Sequence, residues 1–282
     1  MYFTRLKAPQ VVNIITGTML KNWKTGLVFL FLSGFILLFI VAPLAGMFLQ
    51  TSGSQYLETL ADSQVRESIR LTLLASLAGV MIFGIAAIPL AYVLARKSFP
   101  GKGFVNGLID LPVVIPHSAA GIAILGIVSR GTLVGQAGEA VGIQFVGGVA
   151  GIIVAMAFVS IPFLINAARD GFEAVPEKLE KAALNLGASP WRVFFTISLP
   201  LARRQVLTGL TMMWARGLSE FGAVVIIAYH PMVTPVMIWE RFASFGLAYA
   251  RPVAAVFVVV CLIIFTGMRL LAGASSKGMK QR

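Results

Sequence analysis

The sequence predicts an all-α, polytopic membrane protein with six transmembrane helices and one helical loop on the cytoplasmic side. Three observations carry that class. The chain is 58% hydrophobic and 12% charged, too little polar surface to cover a water-soluble globule of 282 residues, so lipid must serve as much of its solvent. Several apolar runs reach the roughly 20 residues a helix needs to cross a hydrocarbon core. Residues 180–200 form a polar helical island between such runs, the one large surface open to a water-soluble partner.

The spans follow in order. Nothing is charged between Lys24 and Glu58, and residues 26–49 make the first span. Arg70 and Arg96 enclose the second, residues 71–95, rich in Leu, Ala and Ile. The third, residues 103–128, is interrupted by Asp110, Pro112, Pro116 and His117. Each proline removes a backbone donor and leaves polar backbone at membrane depth, which suits a pore wall or hinge as well as a static packing kink. The fourth, residues 147–167, opens with Gly147 and Gly151 at a small-xxx-small spacing that allows close helix approach. The fifth, residues 205–228, carries Arg216 and Glu220, and the sixth, residues 252–268, is bounded by Arg251 and Arg269.

Six spans put both termini on one side. If that side is the cytoplasm, 17 basic residues lie inside and five outside, a split that follows the positive-inside rule and places residues 168–204 in the cytoplasm. The predicted organisation is a cytoplasmic N-terminal segment 1–25, a transmembrane domain 26–272 containing the 168–204 loop, and a cytoplasmic tail 273–282. The first apolar run is a full span set well in from Met1, which predicts an anchor rather than a cleaved signal peptide. Residues 8–20 hold a broken apolar face for the inner membrane surface, or else a disordered leader.

Composition and motifs exclude several classes. The net charge of +12 sits beside apolar runs rather than in a patch interleaved with aromatics, so no nucleic-acid partner is expected. One cysteine, Cys261, and two histidines leave no metal site, and no cofactor motif is present. Neither G-x-x-x-x-G-K-[ST] nor H-E-x-x-H occurs, so the chain is not expected to be an enzyme. A self-sufficient secondary transporter is the rival class, but there is no convincing internal repeat. Six spans make half a pore, and a homodimer would supply twelve.

Within the loop, Pro176 suits a first helical turn, and Leu179, Ala182, Ala183 and Leu186 share one face up to Gly187, which can take a left-handed terminus. Ser189 and Pro190 then read as N-cap and first position of a second helix presenting Trp191, Phe194 and Phe195. The apolar face either meets a groove on another protein or packs on the protein's own inner helix ends.

This stretch resembles the cytoplasmic loop motif of permease subunits of ATP-binding-cassette importers, E-A-A, three residues, G, nine residues, I-x-L-P. Ala182, Ala183, Gly187, Ile197, Leu199 and Pro200 match it in spacing. Lys181 stands at the motif's Glu position with Glu180 one residue earlier, which leaves the role of that carboxylate in partner contact open. The resemblance implies a coupling-helix loop that docks into a separate, dimeric ATPase subunit, which alone hydrolyses ATP. Asp110-Leu-Pro-Val-Val-Ile-Pro-His117, the following Ala120-Gly-Ile, and Trp214-Ala-Arg-Gly-Leu-Ser-Glu-Phe-Gly-Ala223 resemble the oxyanion branch of these permeases, which serves molybdate, tungstate and sulfate. Together with Tyr229-His-Pro-Met-Val-Thr-Pro235, the likeness is to the archaeal-type molybdate/tungstate permeases, with sulfate or thiosulfate as the alternative cargo. It further implies an extracytoplasmic substrate-binding protein and a cell-membrane location.

Ionisable groups inside spans are expensive, which makes Asp110, His117, Arg216 and Glu220 candidates for a translocation pathway. Arg216 and Glu220 are four residues apart and can instead neutralise one another as a structural pair. Asp110 can hydrogen-bond freed backbone, and His117 can be a satisfied core histidine.

Overall fold

The computed structural model describes residues 23–277, with side chains from 26 to 267. The predicted N-terminal surface face and the end of the predicted tail lie outside the described residues. The chain divides after Tyr56 into two units. The first contains α1 (Trp23–Leu49), apolar on every side, as a helix surrounded by hydrocarbon should be. After α2 (Gly53–Ala61), the second unit begins its long elements with α3 (Ser63–Arg96), whose N-cap Asp62 accepts the Gln64 N–H at 2.8 Å.

The third predicted span is not one helix. It divides into α4 (Lys102–Val114) and α5 (His117–Val128), bent by 113°. The cause lies in the prolines: Pro116 forces Ile115 out of the helical region, to φ −70° and ψ 149°. Next come α6 (Leu133–Ala140) and α7 (Val149–Glu173), the fourth predicted span. Gly147 lies before that helix rather than on it, but Gly151 does serve close approach, since a Cβ there would meet Ile227 at 2.7 Å.

The predicted loop is α8 (Glu177–Asn185) and α9 (Pro190–Val193), which runs through a π-helical turn, Phe194–Ser198, into α10 (Leu199–Leu218). Here too the structure departs from a single fifth span. α10 ends at Leu218, and a short α11 (Gly222–Ile227) follows a break at residues 219–221. α12 (Thr234–Phe245) and α13 (Leu247–Lys277) complete the described chain.

Among the described residues, α1, α3, α7 and α13 are long and apolar enough to cross a membrane, and the bent pair α4–α5 makes a fifth if counted as one span. Arg203, Arg204, Gln205 and Arg216 keep α10 from qualifying on composition. Helices α3, α7 and α10 pack together as the core. Small buried residues, Ala87, Ala91, Ala157, Ala168 and Ala202, allow backbones to approach. A hydrogen bond from Trp214 Nε1 to Ser76 Oγ, 2.9 Å, ties α10 to α3. At the other end of the core, α5 packs on α11. A Cβ on Gly121 would come within 2.9 Å of the Ala223 carbonyl, and one on Gly222 within 2.7 Å of His117 Cβ, so this contact requires glycine on both helices.

A candidate coupling loop and an intramembrane charge cluster

Local rules build the loop much as the sequence predicts. Pro176 caps α8, one position before the helix, and Gly187 ends it at φ 88°. The Ala188 N–H reaches back to the Ala183 carbonyl at 3.0 Å, closing the helix end across the left-handed glycine. Ser189 then caps α9, accepting the Arg192 N–H at 3.3 Å, and Pro190 occupies its first position.

Which way the loop faces is a tertiary matter. Leu179, Ala182 and Leu186 are exposed, Leu186 at 89%, while Ala183 is half-buried. The apolar face therefore does not pack on the protein's own helix ends. Trp191 and Phe195 stack outside as well, with centroids 6.0 Å apart, whereas Phe194 turns inward. Ile197 and Leu199 are half-buried and Pro200 is exposed.

Glu180 is buried at 6% exposure, while Lys181 is exposed and pairs with Glu177. The Glu180 carboxylate meets Arg96 in a two-pronged pair, Oε1 to Nη2 at 2.7 Å and Oε2 to Nε at 2.9 Å. Burial pushes its pKa upward, but hydrogen bonds from Arg96 and Ser198 outweigh that and hold it below the usual glutamate range. Arg96 and Tyr92, which bonds the same carboxylate, lie 84 and 88 residues from Glu180 in the chain, and Ser198, though within the loop, carries no sequence signal of a pairing with it.

Of the intramembrane candidates, three come together. The Glu220 carboxylate, fully buried, lies 3.0 Å from Arg216 Nη2 and 3.1 Å from His117 Nδ1. Its other oxygen accepts the Ala223 N–H at 2.8 Å, satisfying the start of α11. Arg216 also donates to Ser219 Oγ at 3.2 Å. The cluster thus joins the break between α4 and α5 to the break between α10 and α11. Arg216 and Glu220 do pair as their spacing suggested, although α10 ends before Glu220.

Asp110 stands apart from this cluster. It accepts from Asn166 Nδ2 at 2.6 Å, a side-chain donor in place of the expected freed backbone, beside a cavity of about 390 Å³ also lined by Pro162, Asp170 and Met212. Asn166 is not among the residues predicted from sequence, although a lone amide in an apolar span is a signal of the same kind as a charge.

Residues 87–280 match the family described as binding-protein-dependent transport system inner membrane component. The molybdate/tungstate transport system permease protein WtpB of Thermococcus kodakarensis is 45% identical over 244 residues, 86% of this chain and 94% of that protein. Its namesake in Methanocaldococcus jannaschii is 40% identical over 83% of this chain and 92% of its own length. The sulfate transport system permease protein CysT of Escherichia coli is 30% identical over 84% of this chain and 88% of its own. Among solved structures, a bacterial ABC transporter involved in the import of the acidic polysaccharide alginate superposes with a TM-score of 0.70 at 18% identity, covering 93% of this chain and 98% of that one.

Proposed function

The chain belongs to the family of binding-protein-dependent transport system inner membrane components, and on that premise we propose that it passes molybdate or tungstate across the cell membrane. It is the transmembrane permease subunit of an ABC importer and not an enzyme; ATP hydrolysis is the work of a separate subunit. The observation that carries the cargo is the 40–45% identity to molybdate/tungstate permeases along most of the chain, against 30% to the sulfate permease. That lower likeness is the ground for the second reading, sulfate or thiosulfate.

In this proposal α1, α3, the bent pair α4–α5, α7, the broken pair α10–α11 and α13 are the six spans, with both termini in the cytoplasm. Residues 1–25 and 273–282 flank a transmembrane domain 26–272. Two copies frame the passage on a two-fold axis. A binding protein delivers the anion to the outer segments near residues 50–68, 129–146 and 229–251. An ATPase dimer docks beneath, on the coupling loop marked by Glu180, Lys181, Ala182, Ala183, Gly187, Ile197, Leu199 and Pro200, with Glu180 turned inward and Lys181 outward, and supports import by shifting the population between inward-open and outward-open states. The exposed apolar face of α8 favours such docking, because an unpaired apolar surface in water suits a partner's groove.

Arg216, Glu220, His117 and Asp110 border the path in this reading. Arg216 and Glu220 cancel in charge, so the cluster offers hydrogen-bond donors without a deep anion well. That suits a passage, since a site that held a dianion tightly would not release it.

The test is uptake into vesicles holding the permease, ATPase and binding protein, with ATP enclosed with the ATPase. Molybdate and tungstate should accumulate only while ATP is hydrolysed. Preference for sulfate would select the second reading, and uptake driven by membrane potential without the ATPase would overturn the class.

A further inference from the structure

Glu180 is the one buried residue of α8. The helix that would receive the ATPase is therefore fastened to the protein by a carboxylate rather than by an apolar face, and that carboxylate is bonded from α3 and from the turn leading into α10, with Arg96 linking it to the end of α7. Arg96, in the last turn of α3, grips both of its oxygens and also donates from Nη2 to the Val175 carbonyl at 3.0 Å, in the turn joining α7 to α8. Ser198, which ends the π-helical turn leading into α10, donates to Oε1 at 2.7 Å. Tyr92, one turn before Arg96 on α3, donates to Oε2 at 3.3 Å.

An aromatic layer repeats the same junction. Tyr92 from α3, Phe172 from α7 and Phe194 from the π-helical turn lie with centroids 5.2, 5.0 and 5.9 Å apart. Arg96 and Glu180 are nearly enclosed, with side chains 9% and 8% exposed, so water does not compete for their bonds. An apolar contact can slide, whereas two parallel charge-assisted hydrogen bonds hold an angle.

We propose that Glu180, Arg96, Tyr92 and Ser198 form a clamp that makes α8 one rigid body with the inner ends of α3, α7 and α10, so that a displacement of α8 becomes a displacement of the spans. These are positioning residues: the carboxylate faces inward and transmits, while Lys181 and the leucines face the partner. The proposal rests on the reading that an ATPase docks on α8.

The experiment uses the complete complex of permease, ATPase and binding protein in vesicles. Arg96→Met with Glu180→Met removes both charges together and leaves neither buried alone. The expected result is wild-type ATPase capture with about a tenfold rise in ATP hydrolysed per anion imported, the size of a typical coupling energy. Import at wild-type stoichiometry overturns the clamp, and so does loss of ATPase capture by a folded double variant, which would make Glu180 a docking residue. Arg96→Lys keeps the charge but not the two-pronged geometry, so it decides the matter if the double variant does not fold. It should raise the ratio several-fold, and wild-type stoichiometry in it refutes the proposal. Wild-type vesicles that import nothing would mark the failure of the functional reading instead.

Discussion

Replacing Gly187 with alanine separates backbone conformation from every other property of the loop. Gly187 holds φ at 88°, and a Cβ built there meets nothing within 4 Å. The entire effect of Gly187→Ala in the free chain is therefore conformational. An L residue in the left-handed region is disfavoured by about 1–2 kcal/mol. The loop can keep its shape and carry that strain, or leave it and give up the Ala188 to Ala183 hydrogen bond that turns α8 toward α9. If docking needs the observed turn, 1–2 kcal/mol corresponds to an affinity for the ATPase roughly 5- to 30-fold weaker. Titrating bilayer-embedded permease with labelled ATPase measures this directly. Gly187→Asn should lose less, because asparagine tolerates the left-handed region. Gly187→Trp adds bulk at a position where a Cβ points into open space, so loss beyond that of alanine reports the added side chain rather than the backbone. Wild-type affinity in a Gly187→Ala variant whose Ala188 amide exchanges freely, so that the turn has opened, would refute the claim that this turn sets the docking geometry.

Other perturbations have equally definite outcomes. Arg216→Gln removes the cationic partner of the fully buried Glu220 and should lower stability by about 3–5 kcal/mol, seen as a fall in the thermal midpoint of the purified protein. Adding Glu220→Gln should recover most of that loss, and transport by the recovered double variant then reports whether the pair serves the path. Gly222→Ala must push α11 away from His117 and should destabilise by about 1–3 kcal/mol, whereas alanine at the unobstructed Gly126, inside α5, should stabilise by about 0.5–1 kcal/mol in the same melt. The folded pKa of Glu180 is depressed, so its contribution is fully present above the ordinary glutamate range and is lost as pH falls through the depressed value. Protease protection of the 176–200 segment should accordingly hold from neutral pH down through the ordinary range and fail only below it.

Much of the loop was legible because its signals are local. A proline at the helix start, a left-handed glycine and a Ser-Pro helix start each act within a few residues; the last two stand where the sequence put them, and Pro176 falls one position earlier, as the cap rather than in the first turn. The 3.6-residue period found the apolar face of α8, but amphipathicity alone does not say which face meets the protein. Glu180 turned out to face inward and the leucines outward, because a carboxylate can be buried when Arg96 waits for it 84 residues away.

The spans show the same division. Hydropathy located α1, α3, α7 and α13, since crossing hydrocarbon demands a run of apolar residues whatever the neighbours are. The breaks were only half visible: Pro116 announced the first, while the stop after Leu218 has no proline and depends on Glu220 meeting both Arg216 and a histidine 99 residues from that arginine. Class, apolar spans and capped turns thus came from the chain alone, because lipid and backbone impose them residue by residue. The pairing of its buried charges and the direction each helix faces belong to tertiary structure, because a charge leaves water only where a distant partner replaces it.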